Sequence, residues 1–145
     1  MRVIYRGTIE GEPVGKGRPR VYRTPTGVRG VTPKRTREWT DYAVRVMAFG
    51  WKKGAPLAVP VKVTMKAIKT RPKRLYRKAD PDGLMWRPHK PDADNCLKSL
   101  ADALTKAGIV EDDALIVHMV GFSLYAEKGG APRMEVEIST VDVLK

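Results

Sequence analysis

The chain has 145 residues, of which 42% are hydrophobic, enough for one domain with a real core and too apolar for the disordered class. Its 28 Lys and Arg against 16 Asp and Glu give a formal charge of +12, which points to a polyanionic partner. One cysteine, Cys96, excludes an internal disulfide framework and a multi-cysteine zinc site, and no apolar run reaches membrane-spanning length.

Arg2 to Ile9 alternates, with Val3, Tyr5 and Gly7 on one side, and reads as a first strand. Met1-Arg2 leads straight into it without a signal-peptide core, so a cytosolic, reducing location is expected. Pro13 to Arg20 is broken by Gly and Pro, and Lys16, Arg18 and Arg20 alternate along it. Spacing leaves two readings open here, an arm that follows a phosphate backbone or a solvated loop.

Thr32-Pro33 predicts a helix start, with a capping hydroxyl and proline at the first helical position. Trp39, Tyr42, Ala43, Val46, Met47 and Gly50 follow at helical spacing as a core-facing stripe, and the helix should end near Gly50 or Gly54. Lys34, Arg35 and Arg37 crowd its first turn, where the helix dipole favours anions.

Val59 to Ile68 alternates apolar residues with Lys62, Thr64 and Lys66, a strand with one basic wet face. Lys69 to Lys90 is polar and carries Lys69, Arg71, Lys73, Arg74 and Arg77, with Tyr76 and Trp86 between basic residues. It reads as a nucleic-acid-contacting flap with Tyr76 or Trp86 available to stack on a base, against the plainer reading of a flexible basic loop with no defined contacts.

A second helix follows, with Asp94 as its expected N-cap and Gly108 closing it. Leu97, Leu100, Ala101 and Leu104 form its apolar face, while Asp94, Lys98, Asp102 and Thr105 face away. Cys96 reads as a small buried hydrophobe. Ala114 to Tyr125 is apolar on both faces and predicts a central strand, with His118 as a satisfied core histidine. His89 reads as a solvated loop histidine. Gly129-Gly130 marks a turn, and Met134, Val136 and Ile138 alternate with Glu135, Glu137 and Ser139 in a return strand. The predicted class is α+β: a single domain over residues 1–145, a mixed sheet flanked by helices in the order β-α-β-α-β-β.

The chemistry concentrates around the second helix. Asp92 and Asp94 precede or open it and Asp112 and Asp113 follow it. Carboxylates suit a phosphate-attracting surface when metal ions stand between acid and phosphate. Phosphodiester hydrolysis needs an activated water and charge relief at the leaving oxygen, and divalent ions supply both. Mg²⁺ prefers hard oxygen ligands and retains waters, so a few carboxylates suffice. Asp94 and Lys98 are also spaced as an ordinary i,i+4 ion pair, worth about 0.3–0.5 kcal/mol, and spacing alone favours that reading of Lys98.

The run Asp92-x-Asp94-Asn95, Lys98, Asp102-Ala-Leu-Thr-Lys-Ala-Gly108 and Asp112-Asp113 resembles the RusA-type Holliday junction resolvases, crossover junction endodeoxyribonucleases of bacteria and their prophages. The early Lys16-Gly17-Arg18-Pro19-Arg20 run is similar to that of phage-type members. The resemblance implies a cytoplasmic, Mg²⁺-dependent homodimer, with Mn²⁺ able to take the place of Mg²⁺, that nicks four-way DNA junctions symmetrically to leave 5′-phosphate and 3′-hydroxyl ends. By position, Asp92, Asp94 and Asp113 match its metal-binding carboxylates and Lys98 its catalytic lysine. Asp112 matches a neighbouring acid, and Asn95 a support of the helix start or of the metal shell. Lys16, Arg18, Arg20, Lys69, Arg71, Lys73, Arg74 and Arg77 would meet the DNA backbone. Cys96 stands where leucine is common, and the stretch from Arg71 to Lys90 is longer than in compact members. The competing readings are a non-catalytic basic nucleic-acid-binding protein and a flap or branched-DNA nuclease without junction preference.

Overall fold

The structure, a computed structural model, describes residues 1–18, 20–142 and 144. Alternation builds the sheet. Strand β1 spans Val3–Glu10, β4 Val61–Lys69, β6 Ile116–Tyr125 and β7 Arg133–Thr140, and the short β5 spans Met85–Trp86. They form one five-stranded sheet in the order β1-β7-β4-β6-β5. Only β4 and β6 pair in parallel. Between β1 and the first helix, β2 (Arg20–Thr24) and β3 (Gly27–Val31) make a separate two-stranded sheet. The sequence pattern does not announce this ribbon, because its residues carry no core-facing alternation.

Helix α1 spans Lys34–Gly50 and α2 spans Ala93–Lys106. Tyr5, Ile9, Trp39, Ala43, Met47, Val61, Val63, Met65, Leu100, Leu104, Met134, Val136 and Ile138 share one buried cluster, so both helices cover the same sheet face. The major elements thus follow the expected β-α-β-α-β-β order in an α+β fold.

Several local expectations change. Thr32 does not cap α1; Pro33 is the cap residue and makes no side-chain cap bond. The buried stripe of α1 is Thr36, Trp39, Thr40, Ala43 and Met47, while Tyr42 and Gly50 are exposed. Asp92, not Asp94, is the N-cap residue of α2, and Asp94 lies in its first turn. Gly108 takes φ +74° just past the helix, the left-handed conformation that ends helices on glycine. The buried side of α2 is rotated toward Cys96, Ser99, Leu100, Ala103 and Leu104.

β6 is not central. Its short partner β5 reaches only Leu124 and Tyr125, so Ile116 to Ser123 border an open edge. His118 is exposed there, not a core histidine, because this half of β6 has no strand beyond it to cover it.

The Lys69–Lys90 stretch is folded rather than a free flap. It contains a 3-10 turn at Lys73–Leu75 and then β5. Two arginines organise it. Arg71 is 2% exposed and donates to the carbonyls of Ala126 (3.0 Å), Leu75 (3.3 Å), Pro81 (2.6 Å) and Gly83. Arg87 is 3% exposed and donates to the carbonyls of Leu124 (3.3 Å), His89 (2.6 Å) and Pro91 (3.3 Å). A planar guanidinium with five fixed donors suits such gathering of loop carbonyls.

Candidate active site

The parallel pairing of β4 with β6 places the site. Parallel neighbours need a crossover, and α2 lies in it. The helix therefore runs back against β6. A Cβ on Gly121 would meet Leu97 Cδ1 at 2.8 Å and Ala93 Cβ at 3.5 Å, so the first turns of α2 sit on the middle of β6. Asp113 opens the turn that leads into β6 at the strand's other end.

Arg87 holds the entry to α2. Its bonds to the His89 and Pro91 carbonyls, and to Leu124 on β6, fix the approach to Asp92. The Ser123 hydroxyl donates to the Arg87 carbonyl at 2.9 Å, and Arg87 N–H donates to Ser123 O at 3.0 Å. Burial pulls the Arg87 guanidinium below its ordinary pKa. By sequence Arg87 is only one more basic residue; its position directly before a proline-rich helix entry was the available signal.

The arm Pro13–Arg18 is seated against the same helix. Lys16 N–H donates to Asn95 O at 3.1 Å and Gly17 N–H to Thr36 Oγ1 at 3.2 Å, which ties the arm to both helices. The approach is close enough to require glycine. A Cβ on Gly15 would stand 2.9 Å from Pro91 Cβ and 3.2 Å from Asn95 Cβ. Asn95 thus supports the arm through its backbone.

The arm delivers Lys16 to a cleft of about 240 Å³ lined by Lys16, Lys98, Ala101, Asp102, Asp113, Ile116 and Met119. Lys16 Nζ pairs with Asp102 at 3.1 Å, and Lys98 Nζ pairs with Asp94 at 3.7 Å. Both Lys98 and Asp94 are well exposed, so the i,i+4 pair contributes little to stability. Lys98 stands between Asp94, its ion-pair partner, and Asp113, with which it shares the cleft.

Asp112 has a different role from Asp113. Its side chain accepts the Ala114 N–H at 2.9 Å and caps the turn before β6. That backbone bond holds the Asp112 carboxyl below the usual carboxylate range. Asp92 faces a second depression, with Arg87, His89, Lys90 and Ser123. The three acids therefore border one helix from two sides. Asp92, Asp94 and Asp113 are all exposed and offer hard oxygens of the kind Mg²⁺ takes, so the donor set fits such an ion in chemistry. Among the described residues, no three His, Cys, Asp or Glu side chains stand together closely enough to hold a metal ion. The antiparallel run of α2 over β6 is the reason: it sends Asp92 and Asp113 toward opposite ends of the strand.

The basic residues divide into two groups. Arg18, Lys73, Arg74 and Arg77 are exposed, Arg77 being paired with Asp80 at 3.3 Å, and Lys69 is half-buried 4.0 Å from Glu12. The side chain of Arg20 lies outside the described residues. Arg71 is the correction: its guanidinium is buried among carbonyls and does not face a ligand. Tyr76 is 44% exposed, with the Arg71 guanidinium 5.8 Å from its ring and its hydroxyl accepting the Gly129 N–H. Trp86 is 72% exposed and stacked on Phe122. No helix among the described residues is long and apolar enough to cross a membrane.

A family model described as Endodeoxyribonuclease RusA matches residues 10–139, which include the arm, α2 and Asp113. The chain is also 31% identical over 140 residues to the "Uncharacterized protein YqaN" of Bacillus subtilis (strain 168), an alignment covering 92% of this chain and 94% of that one.

Proposed function

The chain belongs to the RusA endodeoxyribonuclease family, and from that premise we propose that it resolves four-way DNA junctions by paired, metal-dependent nicks. The observation that carries the reading is the cleft that Lys98 and Asp113 share with Lys16 of the basic arm, Lys98 being also paired with Asp94. We read residues 1–145 as one nuclease domain that works as a homodimer in the cytosol. A two-fold pair of sites suits a two-fold symmetric junction.

In this reading Asp92, Asp94 and Asp113 hold Mg²⁺, or Mn²⁺ in its place, with Asp112 and Asn95 supporting the backbone around them. When bound, the ion supplies an activated water and relieves charge on the leaving 3′ oxygen. Lys98 Nζ exchanges its Asp94 partner for the scissile phosphate and offsets charge that grows as the bond breaks. Lys16, already in the cleft, neutralises an adjacent phosphate and is steadied by Asp102. Arg18, Arg20, Lys69, Lys73, Arg74 and Arg77 hold flanking backbone. The ends produced are 5′-phosphate and 3′-hydroxyl.

The three acids must draw closer than they stand along α2. Binding of the divalent ion would favour that, since its charge offsets repulsion among the carboxylates. The test is Asp94→Asn assayed on a labelled four-way junction, a flap and a plain duplex, with Mg²⁺ and with EDTA. The variant should bind the junction as wild type does and lose at least about 100-fold in cleavage, the scale expected when a group stabilising the reacting charge is removed. Cleavage near the wild-type rate, or wild-type nicking that persists in EDTA, sinks the metal-dependent reading. Equal cutting of flap and junction removes the junction preference.

A further inference from the structure

Among the described residues, the β2–β3 ribbon adds no side chain to the buried core. Val21, Tyr22 and Val28 are 68%, 50% and 70% exposed, and the remaining described side chains of the ribbon are exposed or half-buried. An isolated two-stranded hairpin is marginal in water. The ribbon does not extend the main sheet. Its charge indicates what would cover it. Between Glu12 and Glu38 the chain carries eight Lys and Arg and no Asp or Glu. Within the ribbon, register places Tyr22 opposite Arg29 and Arg23 opposite Val28, so each face presents an arginine beside an apolar or aromatic side chain. Neither Arg23 nor Arg29 forms an ion pair among the described residues.

We propose that this ribbon is a second DNA-gripping element, which lies in the major groove of a junction arm beside the cut site. The inference rests on the nuclease reading above. Two hydrogen-bonded strands stand about 4.8 Å apart, and a ribbon of that width with its side chains enters a groove roughly 12 Å wide. Arg23 and Arg29, on opposite faces, then reach the phosphate rows that flank the groove. Position supports the assignment. Lys16 is in the acid cleft, and Arg20 opens the ribbon four residues later, at most about 14 Å away along the chain. A five-residue strand adds roughly 17 Å. The ribbon tip therefore falls within about one turn of duplex, roughly 34 Å, of the phosphate in the cleft. The seated arm anchors the base of the ribbon, through Lys16 N–H on Asn95 and Gly17 N–H on Thr36.

The experiment compares wild type with Arg23→Ala/Arg29→Ala on a four-way junction in EDTA, at several salt concentrations. Two lost phosphate contacts should lower the slope of log affinity against log salt by about 1.8. Protection of guanine N7 from methylation, a major-groove signal, should disappear on one side of the cut site within one turn. Folding, read by circular dichroism and melting, should not change. An unchanged slope and unchanged N7 protection overturn the inference, as does protection confined to the minor groove. An unfolded double variant overturns its premise that the ribbon adds no side chain to the buried core. A ribbon variant that loses these signals while wild type cuts the junction supports it. Wild type that neither binds nor cuts junctions removes the nuclease reading itself, a failure distinct from that of the ribbon.

Discussion

Replacing Arg71 by methionine separates a structural arginine from a DNA-binding one. The substitution preserves much of the apolar stem and deletes the guanidinium. Four carbonyls, those of Ala126, Leu75, Pro81 and Gly83, then lose a charged donor in a site only 2% exposed. Leaving several buried carbonyls without a donor, at roughly 1–3 kcal/mol for each unsatisfied acceptor and with the loop partly relaxing, costs about 3–5 kcal/mol. For 145 residues the unfolding entropy near the midpoint is about 300 cal/mol/K, so each kcal/mol shifts Tm by about 3 °C. The expected drop is therefore about 10–15 °C by calorimetry. Arg71→Lys should recover only part of it, because an ammonium cannot span the planar fork of contacts. Junction affinity, measured well below the melting range, should retain its salt slope. Lys73→Ala should do the opposite, leaving Tm nearly unchanged and lowering the slope by about 0.9. An Arg71→Met variant that melts within about 3 °C of wild type, the shift of a single kcal/mol, and loses salt slope would refute the assignment of Arg71 to the fold.

Two further outcomes follow from close packing around α2. Gly15→Ala forces a Cβ to within 2.9 Å of Pro91, whose ring cannot rotate away, so the arm must shift. Stability should fall by about 1–3 kcal/mol, and cleavage by more than about tenfold as Lys16 leaves the cleft. Gly83→Ala, where a Cβ meets nothing within 4 Å, is the matched control, and equal behaviour of the two variants in melting and nicking assays would contradict the seated arm. Burial pushes the Cys96 thiol from its ordinary 9.0 up to about 11. The raised folded pKa makes its contribution fully present below pH 9 and lost as pH rises through about 11. The stability gap between wild type and Cys96→Ala should shrink by about 2–3 kcal/mol between about pH 8 and pH 11.5 in denaturant titrations. A gap that does not vary with pH would show that Cys96 ionises freely in the native state.

Local chemistry was enough to read much of this protein. Val61, Val63, Met65 and Ala67 alternate with Lys62, Thr64 and Lys66 because a strand turns over at every residue, and that period survives any tertiary arrangement. Leu100 and Leu104 with Gly108 likewise announce α2 and its end. The acids around that helix, with Lys98, were sufficient to identify the family that the comparison found.

Other properties depend on where distant segments meet. Nothing in the residue pattern distinguishes Arg71, sealed among carbonyls, from the exposed Lys73 and Arg74, because the carbonyls that enclose it include that of Ala126 from far along the chain. The apolar run of β6 looks central by hydropathy, yet it borders an open edge because β5 is two residues long and pairs with its last two alone. The same packing spreads the carboxylates. Since β4 and β6 run parallel, α2 must return against them, which carries Asp92 toward one end of β6 and leaves Asp113 at the other, with Lys98 between Asp94 and Asp113.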